Sequence, residues 1–504
     1  MVRRFFRDSL VYAIPGVVST GTSIVTFPLF AHHFEPRAYG ILDLISFTST
    51  LVILVVALEI YQGVGRYTAG EEDRELTRRY ASTALWWAVA CYVGFAAIAL
   101  GLSRPVARVL LETDRYAGIV RVAILWTAVQ GVLSVAQAQL RWQLRPRAFG
   151  TVAVVNALVT ASASLAFVFV ANLGVEGVFW GQLLGSAVAL CLVAFLLRHT
   201  FVLCFDKPLL RKMLNYSAPL VVSNVGVFLN LYADRFVIQH QRSLSDVGLY
   251  GVANRVALLV MLILMGFQGA AAPLFLARRD DPATPGQIAR IFRLFSVLSL
   301  AALLVLTVFA SPMLRILAAA PYHGADRVVP YLVISTVFAN MYMFAPGLVI
   351  AERTRAMAKY TAFIGVANLV LAWVLVPPLG ITGAGLATAA TSVAWFLLLM
   401  RASQTYYPVP HRWTPLIQGF GFALVIVAGS TMLLPQSRAT ALDPAELLVR
   451  VLLVAVGITG CSILTLERAE LRQLRDTAGG FVSMGRWRRL GSVAGDRAAD
   501  AARR

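Results

Sequence analysis

Apolar runs of about twenty residues, set apart by short polar stretches rich in Arg, Gly and Pro, recur along the whole chain. Runs long enough to cross a hydrocarbon layer fall at about 9–31, 39–61, 81–102, 119–140, 149–171 and 177–197. Six more follow at about 214–238, 247–275, 291–310, 328–350, 360–376 and 381–400, with a last pair at 415–434 and 447–466. The pattern predicts an all-α, polytopic membrane protein of about fourteen transmembrane helices. The first run continues for over twenty residues without a small-residue cleavage site, so it reads as a spanning helix and not a signal peptide. No connecting stretch exceeds about twenty residues, which leaves no room for a catalytic domain outside the membrane. The segment after Arg468 is longer, and its Ala, Arg and Gly content reads as a frayed surface helix and then disorder.

Composition agrees with the pattern: 59% of the 504 residues are hydrophobic, 14% are charged and the mean hydropathy is +0.73, which excludes a soluble multidomain protein. The net charge of +19 would suggest nucleic acid in a soluble chain. Here Lys and Arg gather in alternate loops, roughly thirty-two on the N-terminal side against ten on the other, so they set topology and place both termini in the cytoplasm. The four cysteines have no paired spacing, and the histidines have no ligand spacing, so no metal or cofactor is expected. Phosphate-binding loops, zinc-protease and serine-hydrolase signatures are all missing. The chain is therefore expected to be neither an enzyme nor an ATP-driven pump.

The two halves repeat each other. Tyr12, Pro15, Val17, Val18 and Ser19 return as Tyr216, Pro219, Val221, Val222 and Ser223, and Tyr39-Gly40 returns as Tyr250-Gly251, which sets Asp43 opposite Asn254. SRPVAR, with Pro105 and Arg108, matches Pro312 and Arg315; Asn156 matches Asn368; and LGVEG at Leu173–Gly177 matches LGITG at Leu379–Gly383. Copies of six helices share one orientation and are related by an axis along the membrane normal. The expected organisation is an N-terminal six-helix lobe at 1–200, a pseudo-symmetric six-helix lobe at 201–405, two additional helices at 406–468 and a basic tail at 469–504. Two parallel lobes with a site between them is the layout of an alternating-access transporter.

Polar residues inside apolar runs mark the candidate path. The stretch 215–264 carries Asn230, Asp234, Arg235 and Arg255. If its second segment enters the bilayer near Asp246, a rise of about 1.5 Å per residue puts Arg255 roughly 13 Å deep in a layer about 30 Å thick. An Arg there either faces a cavity and binds an anionic group, or pairs with Asp234 or Asp43 to hold helices together. Arg235 lies nearer the outer mouth. Ser19, Ser23 and Thr26 on the first segment, and Ser223, Asn230 and Asp234 on the seventh, each share one helical face. Such stripes line a cavity or bond neighbouring helices; the second reading is favoured for the first segment, and the cavity for the seventh. Pro15 and Pro219 are hinges or first-turn prolines. Asp43 and Glu59 lie near the two interfaces, where capping is as good a reading as a pathway. Tyr232 and Tyr250 add aromatic rings beside these polar positions.

The YxxP start of each repeat, ADRFVI at 233–238, the SxxxVGLYGVAN turn at 243–254 and the LGxxG turns resemble the oligosaccharide flippases of bacterial polysaccharide biosynthesis. Those proteins share a superfamily with lipid II flippases and MATE drug exporters, and fourteen helices suit the flippases better than the usually twelve-helix exporters. The resemblance implies movement of an undecaprenyl-diphosphate-linked oligosaccharide to the outer leaflet, for O-antigen, exopolysaccharide or capsule, through a cationic cavity. Besides that substrate and membrane lipids, the partners it implies are a polysaccharide polymerase and chain-length machinery; nucleic acid is not among them. It also implies a substrate-binding set of Arg255, Arg235, Asp234, Asn230, Asn254 and Asp43. The alternatives are a lipid II flippase or a cation-coupled exporter of amphipathic small molecules, with Asp43 or Asp234 holding the ion. A membrane glycosyltransferase, polymerase or ligase acting on the same carrier would need a large outer loop, and none is present.

Overall fold

A computed structural model describes residues 21–68, 73–261, 281–351, 353–433 and 443–472, with Gly16, Val18 and Leu264. Helices follow the apolar runs: α1 (21–33), α2 (Pro36–Val56), α3 (Ile60–Thr68), α4 (Arg74–Gly101), α5 (Ser103–Leu111), α6 (Ala117–Trp142), α7 (Pro146–Leu165) and α8 (Gly174–Leu196). The second half gives α9 (Lys207–Gln241), α10 (Leu244–Ala257), α11 (Thr284–Val308), α12 (Ala310–Leu317), α13 (Val329–Asn340), α14 (Thr354–Leu379) and α15 (Ile381–Gln404). The last two are α16 (Trp413–Leu433) and α17 (Pro444–Thr465). Start signals are local. Asp73, Asp206, Ser243 and Asp443 each accept a hydrogen bond from a backbone N–H of the first turn. Proline opens α2, α7 and α17, where its missing N–H is harmless.

Among the described residues eleven helices are long and apolar enough to cross a membrane, or thirteen if two bent pairs each count as one span. The remaining expected segment, 9–31, is described continuously only from residue 21, while most of 262–275 and the tail beyond 472 lie outside the described residues. The expected span at 39–61 is broken. After α2 the chain turns through Leu58 and Glu59, both left-handed at φ 52° and 48°, before α3 begins. Pro219 sits inside α9, not in its first turn, and the 55° bend of α9 falls at Asn230–Tyr232, away from it. The first-turn reading of Pro219 is thus corrected, and Pro15 lies outside the described residues.

The duplication extends to local geometry. SRPVAR and SPMLRI both form short helices, α5 and α12. In the two LGxxG turns the first glycines, Gly174 and Gly380, are left-handed at φ 56° and 61°, a conformation only glycine takes without penalty. The second glycines, Gly177 and Gly383, lie against the backbones of Phe167 and Leu375, where a Cβ would not fit.

By packing, the helices form two compact units. One holds α1 to α10 with α12 to α15; the other holds α11, α16 and α17. In the first unit α2 and α10 cross through a reciprocal glycine contact: Gly40 lies on the Leu244 carbonyl and Gly248 on that of Pro36. Beside it, the Tyr322 hydroxyl donates to Phe34 O at 2.8 Å and Ala319 N to Ala31 O at 3.2 Å. A Cβ at Gly40 has only backbone to meet, so Gly40→Val should cost at least about 1–3 kcal/mol by overpacking. A thermal-melting profile of the purified variant that matches the wild type would refute this close approach.

The second unit is tied by charge. Arg293 of α11 bonds Glu470 at 2.7 Å and Glu467 at 3.2 Å, and Arg412 reaches Glu467 at 3.1 Å. Burial pushes the Glu470 carboxyl up, but hydrogen bonds from Arg293 and from Glu467 N–H outweigh it and hold the group below its ordinary value. Stability from this pair is complete above the ordinary carboxylate range and is lost as pH falls through the depressed value. Glu470→Gln should therefore flatten the acid limb of the melting temperature against pH.

Candidate functional site

Three of the expected site residues meet in one buried cluster. Arg235 of α9 is 1% exposed, and its Nη1 bonds Asp234 Oδ1 at 2.8 Å. Its Nε lies 3.6 Å from Asp43 Oδ2 on α2. The Tyr250 hydroxyl of α10 donates to Asp234 Oδ2, and Thr388 of α15 donates to the same oxygen at 3.4 Å. Phe47 covers the guanidinium at 4.2 Å and Tyr250 at 5.1 Å, as rings do for a weakly hydrated cation. Asp43 has room because Gly251 faces it; a Cβ there would lie 2.7 Å from Oδ2. Two carboxylates thus enclose one guanidinium between α2, α9, α10 and α15. Arg235, expected near the outer mouth, is the centre of this cluster.

Arg255 is placed differently. Its Nη1 donates to Ser23 Oγ on α1 at 2.7 Å, and among the described residues no carboxylate lies within ion-pairing distance of it. Its charged or titratable neighbours are Tyr39, Asp43 and Arg235. The carboxylates that might have paired with it, Asp43 and Asp234, are taken by Arg235. The guanidinium opens into a cavity of about 200 Å³ whose polar wall is Thr22, Ser23 and Thr26 of α1, Thr160 and Ser164 of α7 and Gln182 of α8. That wall is made by small residues: Gly181 and Gly185 let α8 lie directly on Ser164 and Thr160. The stripe on α1, expected to bond neighbouring helices, lines this cavity through Ser23 and Thr26; Ser19 lies outside the described residues.

A second cavity of about 350 Å³ lies at the other end of α2, lined by Glu59, Tyr61, Gln137, Ser134 and Arg141 among others. Glu59 is 6% exposed and accepts from Asn224 Nδ2 of α9 at 2.6 Å. Arg141 stacks on Trp142 and Phe149.

The remaining expected residues do not join these groups. Asn230 is buried, and its backbone oxygen accepts from Asn368 Nδ2 at 3.0 Å. Asn254 lines neither cavity. Tyr250 is fully buried, and Tyr232, half-buried, stacks on Phe47 at 4.5 Å. Sequence reasoning missed Gln182, Thr160 and Thr388. The signal for the first was available: a single Gln in an apolar run, flanked by glycines one residue before and three after it.

A profile of the family described as polysaccharide biosynthesis protein matches residues 30–325, more than half of the chain. The chain belongs to the polysaccharide biosynthesis protein family. This family member superposes on the lipid II flippase MurJ in an inward closed conformation with a TM-score of 0.70 and 11% identity, over 90% of this chain and 98% of that one. An inward-facing MATE transporter of the MOP superfamily gives 0.65 at 15% identity, over 79% and 97%. An outward-facing MATE transporter gives 0.57 at 15%, over 79% and 95%. Likeness at these identities establishes an all-α, multi-pass fold shared with these proteins and assigns no residue a role. A comparison with curated proteins gave no match.

Proposed function

We propose that this polysaccharide biosynthesis protein flips an undecaprenyl-diphosphate-linked oligosaccharide across the bacterial inner membrane by alternating access, with 1–200 and 201–405 as the moving lobes and both termini cytoplasmic. The observation that carries the reading is Arg255: a guanidinium in a polar cavity at membrane depth, with a serine hydroxyl as its protein partner. An uncompensated diphosphate in hydrocarbon would cost on the order of tens of kcal/mol by Born solvation, while the polyprenyl tail is at home in lipid. A cavity lined on one side by a cation lets the two ends part company. Arginine suits the task because its planar fork stays charged and matches phosphate oxygens. Arg255 holds the diphosphate; Asp43, Asp234 and Arg235 brace the wall behind it, and Asn230 and Asn254 remain outside this assignment.

Direct binding tests this reading. Polyprenyl diphosphate should bind the purified protein in nanodiscs and compete with lipid II, which carries the same diphosphate, while a hydrophobic cation should not displace it. Displacement by the cation and not by either diphosphate would favour an exporter. Topology is tested separately: reporter fusions at Ser245 and Ser437 should read as periplasmic, and a cytoplasmic reading at either would invert the orientation.

A further inference from the structure

Four hydroxyls in the Arg255 cavity have already committed their protons. Thr22 donates to Val18 O at 2.7 Å, Thr26 to Thr22 O at 3.0 Å, Thr160 to Asn156 Oδ1 at 3.4 Å and Ser164 to Val178 O at 3.2 Å. Each can offer only lone pairs to the cavity. Among them sits Gln182, whose Oε1 is buried and has no hydrogen-bond partner. A buried amide oxygen left unmatched forfeits about 1–3 kcal/mol. The cavity therefore presents one anion-binding fork from Arg255, four hydroxyls that can only accept, the hydroxyls of Ser23 and Tyr39, and an unmet acceptor at Gln182. Its space of about 200 Å³ exceeds several-fold the roughly 10–15 Å³ that a single water needs.

We infer that Gln182 is a specificity-determining residue that accepts a hydrogen bond from an N–H or O–H donor on the sugar attached directly to the diphosphate. The inference rests on Arg255 holding that diphosphate. With the phosphate on the guanidinium, the sugar bonded to it is the only part of the head group covalently held in the same cavity. The unmet acceptor at Gln182 selects a ring that brings a donor next to the glycosidic phosphate, an acylamino or hydroxyl group, and leaves a deoxy ring with the amide unmatched. The distal sugars are read elsewhere or not at all by this cavity.

The test measures binding to the full chain in nanodiscs with three probes: polyprenyl diphosphate, the same lipid bearing one 2-acetamido-2-deoxyhexose, and the same lipid bearing the 2-deoxyhexose. Wild type should prefer the acetamido sugar to the deoxy sugar by about ten- to a hundredfold. Gln182→Met, close in shape, should erase that preference; Gln182→Asn, which draws the amide back, should do the same if the Met variant fails to fold. Arg255→Ala should weaken all three probes. A preference that survives either Gln182 variant, or no preference in wild type, overturns the role of Gln182 and assigns the amide to water. If Arg255→Ala leaves bare polyprenyl diphosphate binding unchanged, the diphosphate reading itself fails and this one with it.

Discussion

Arg235→Ala is expected to leave little folded protein. The substitution removes the cation between Asp43 and Asp234, which are 3% and 1% exposed, and strands both carboxylates in a medium that cannot solvate them. Breaking a buried pair this way costs about 3–5 kcal/mol, a large share of the roughly 5–15 kcal/mol that holds an ordinary domain together. Rescue distinguishes the charge from the packing. Adding Asp43→Asn and Asp234→Asn removes the stranded charges, and expression and melting temperature should recover most of the loss. If the triple variant melts as low as Arg235→Ala, the cluster acts through the shape of the guanidinium under Phe47 and Tyr250 and not through its charge.

Arg255→Ala should show the opposite profile: normal expression, a melting temperature near wild type and no transport. No carboxylate is stranded, because Asp43 and Asp234 keep Arg235, and Ser23 loses one hydrogen bond worth about 1 kcal/mol. Binding of polyprenyl diphosphate should fall about ten- to a hundredfold, the value of charge-assisted hydrogen bonds. Arg255→Lys keeps the charge and loses the two-pronged geometry, so intermediate binding and slow transport are expected. Melting that drops by as much as for Arg235→Ala would assign Arg255 to structure and remove the case for a diphosphate site.

The contrast between these arginines marks the limit of reading the sequence. Depth follows from counting residues along a run, and on that basis Arg255 was placed deep in the membrane and Arg235 near its outer mouth. Partnership does not follow from counting. Whether Asp43 serves Arg235 or Arg255 depends on how α2 rotates against α9 and α10, which the Gly40–Gly248 crossing and the space at Gly251 decide. The repeat was legible because duplicated turns need the same glycines, Gly174 and Gly380, at the same left-handed positions. The break after Val56 was not, since VALEIY carries neither Gly nor Pro and Glu59 is the one polar residue in it. Gln182 escaped notice because one amide scarcely alters the hydropathy of its segment, although its surroundings leave it an acceptor to match.

That break is a preloaded joint. A leucine and a glutamate held left-handed each forgo about 1–2 kcal/mol relative to the right-handed helix on either side, so straightening 57–59 is favoured locally by roughly one to three powers of ten in population. Opposing it are Glu59, bonded to Asn224 of α9, and two ties of α3 to α9, Gly63 seated on Met213 and Lys212 over the Tyr67 ring at 4.6 Å. Leu58→Gly would remove much of the tension without touching any of those ties, and cysteine cross-linking of α3 to α9 would report whether the bent form gains population. Loosening α3 from α9 would therefore let 57–59 relax toward one continuous helix, with the local strain itself supplying the push.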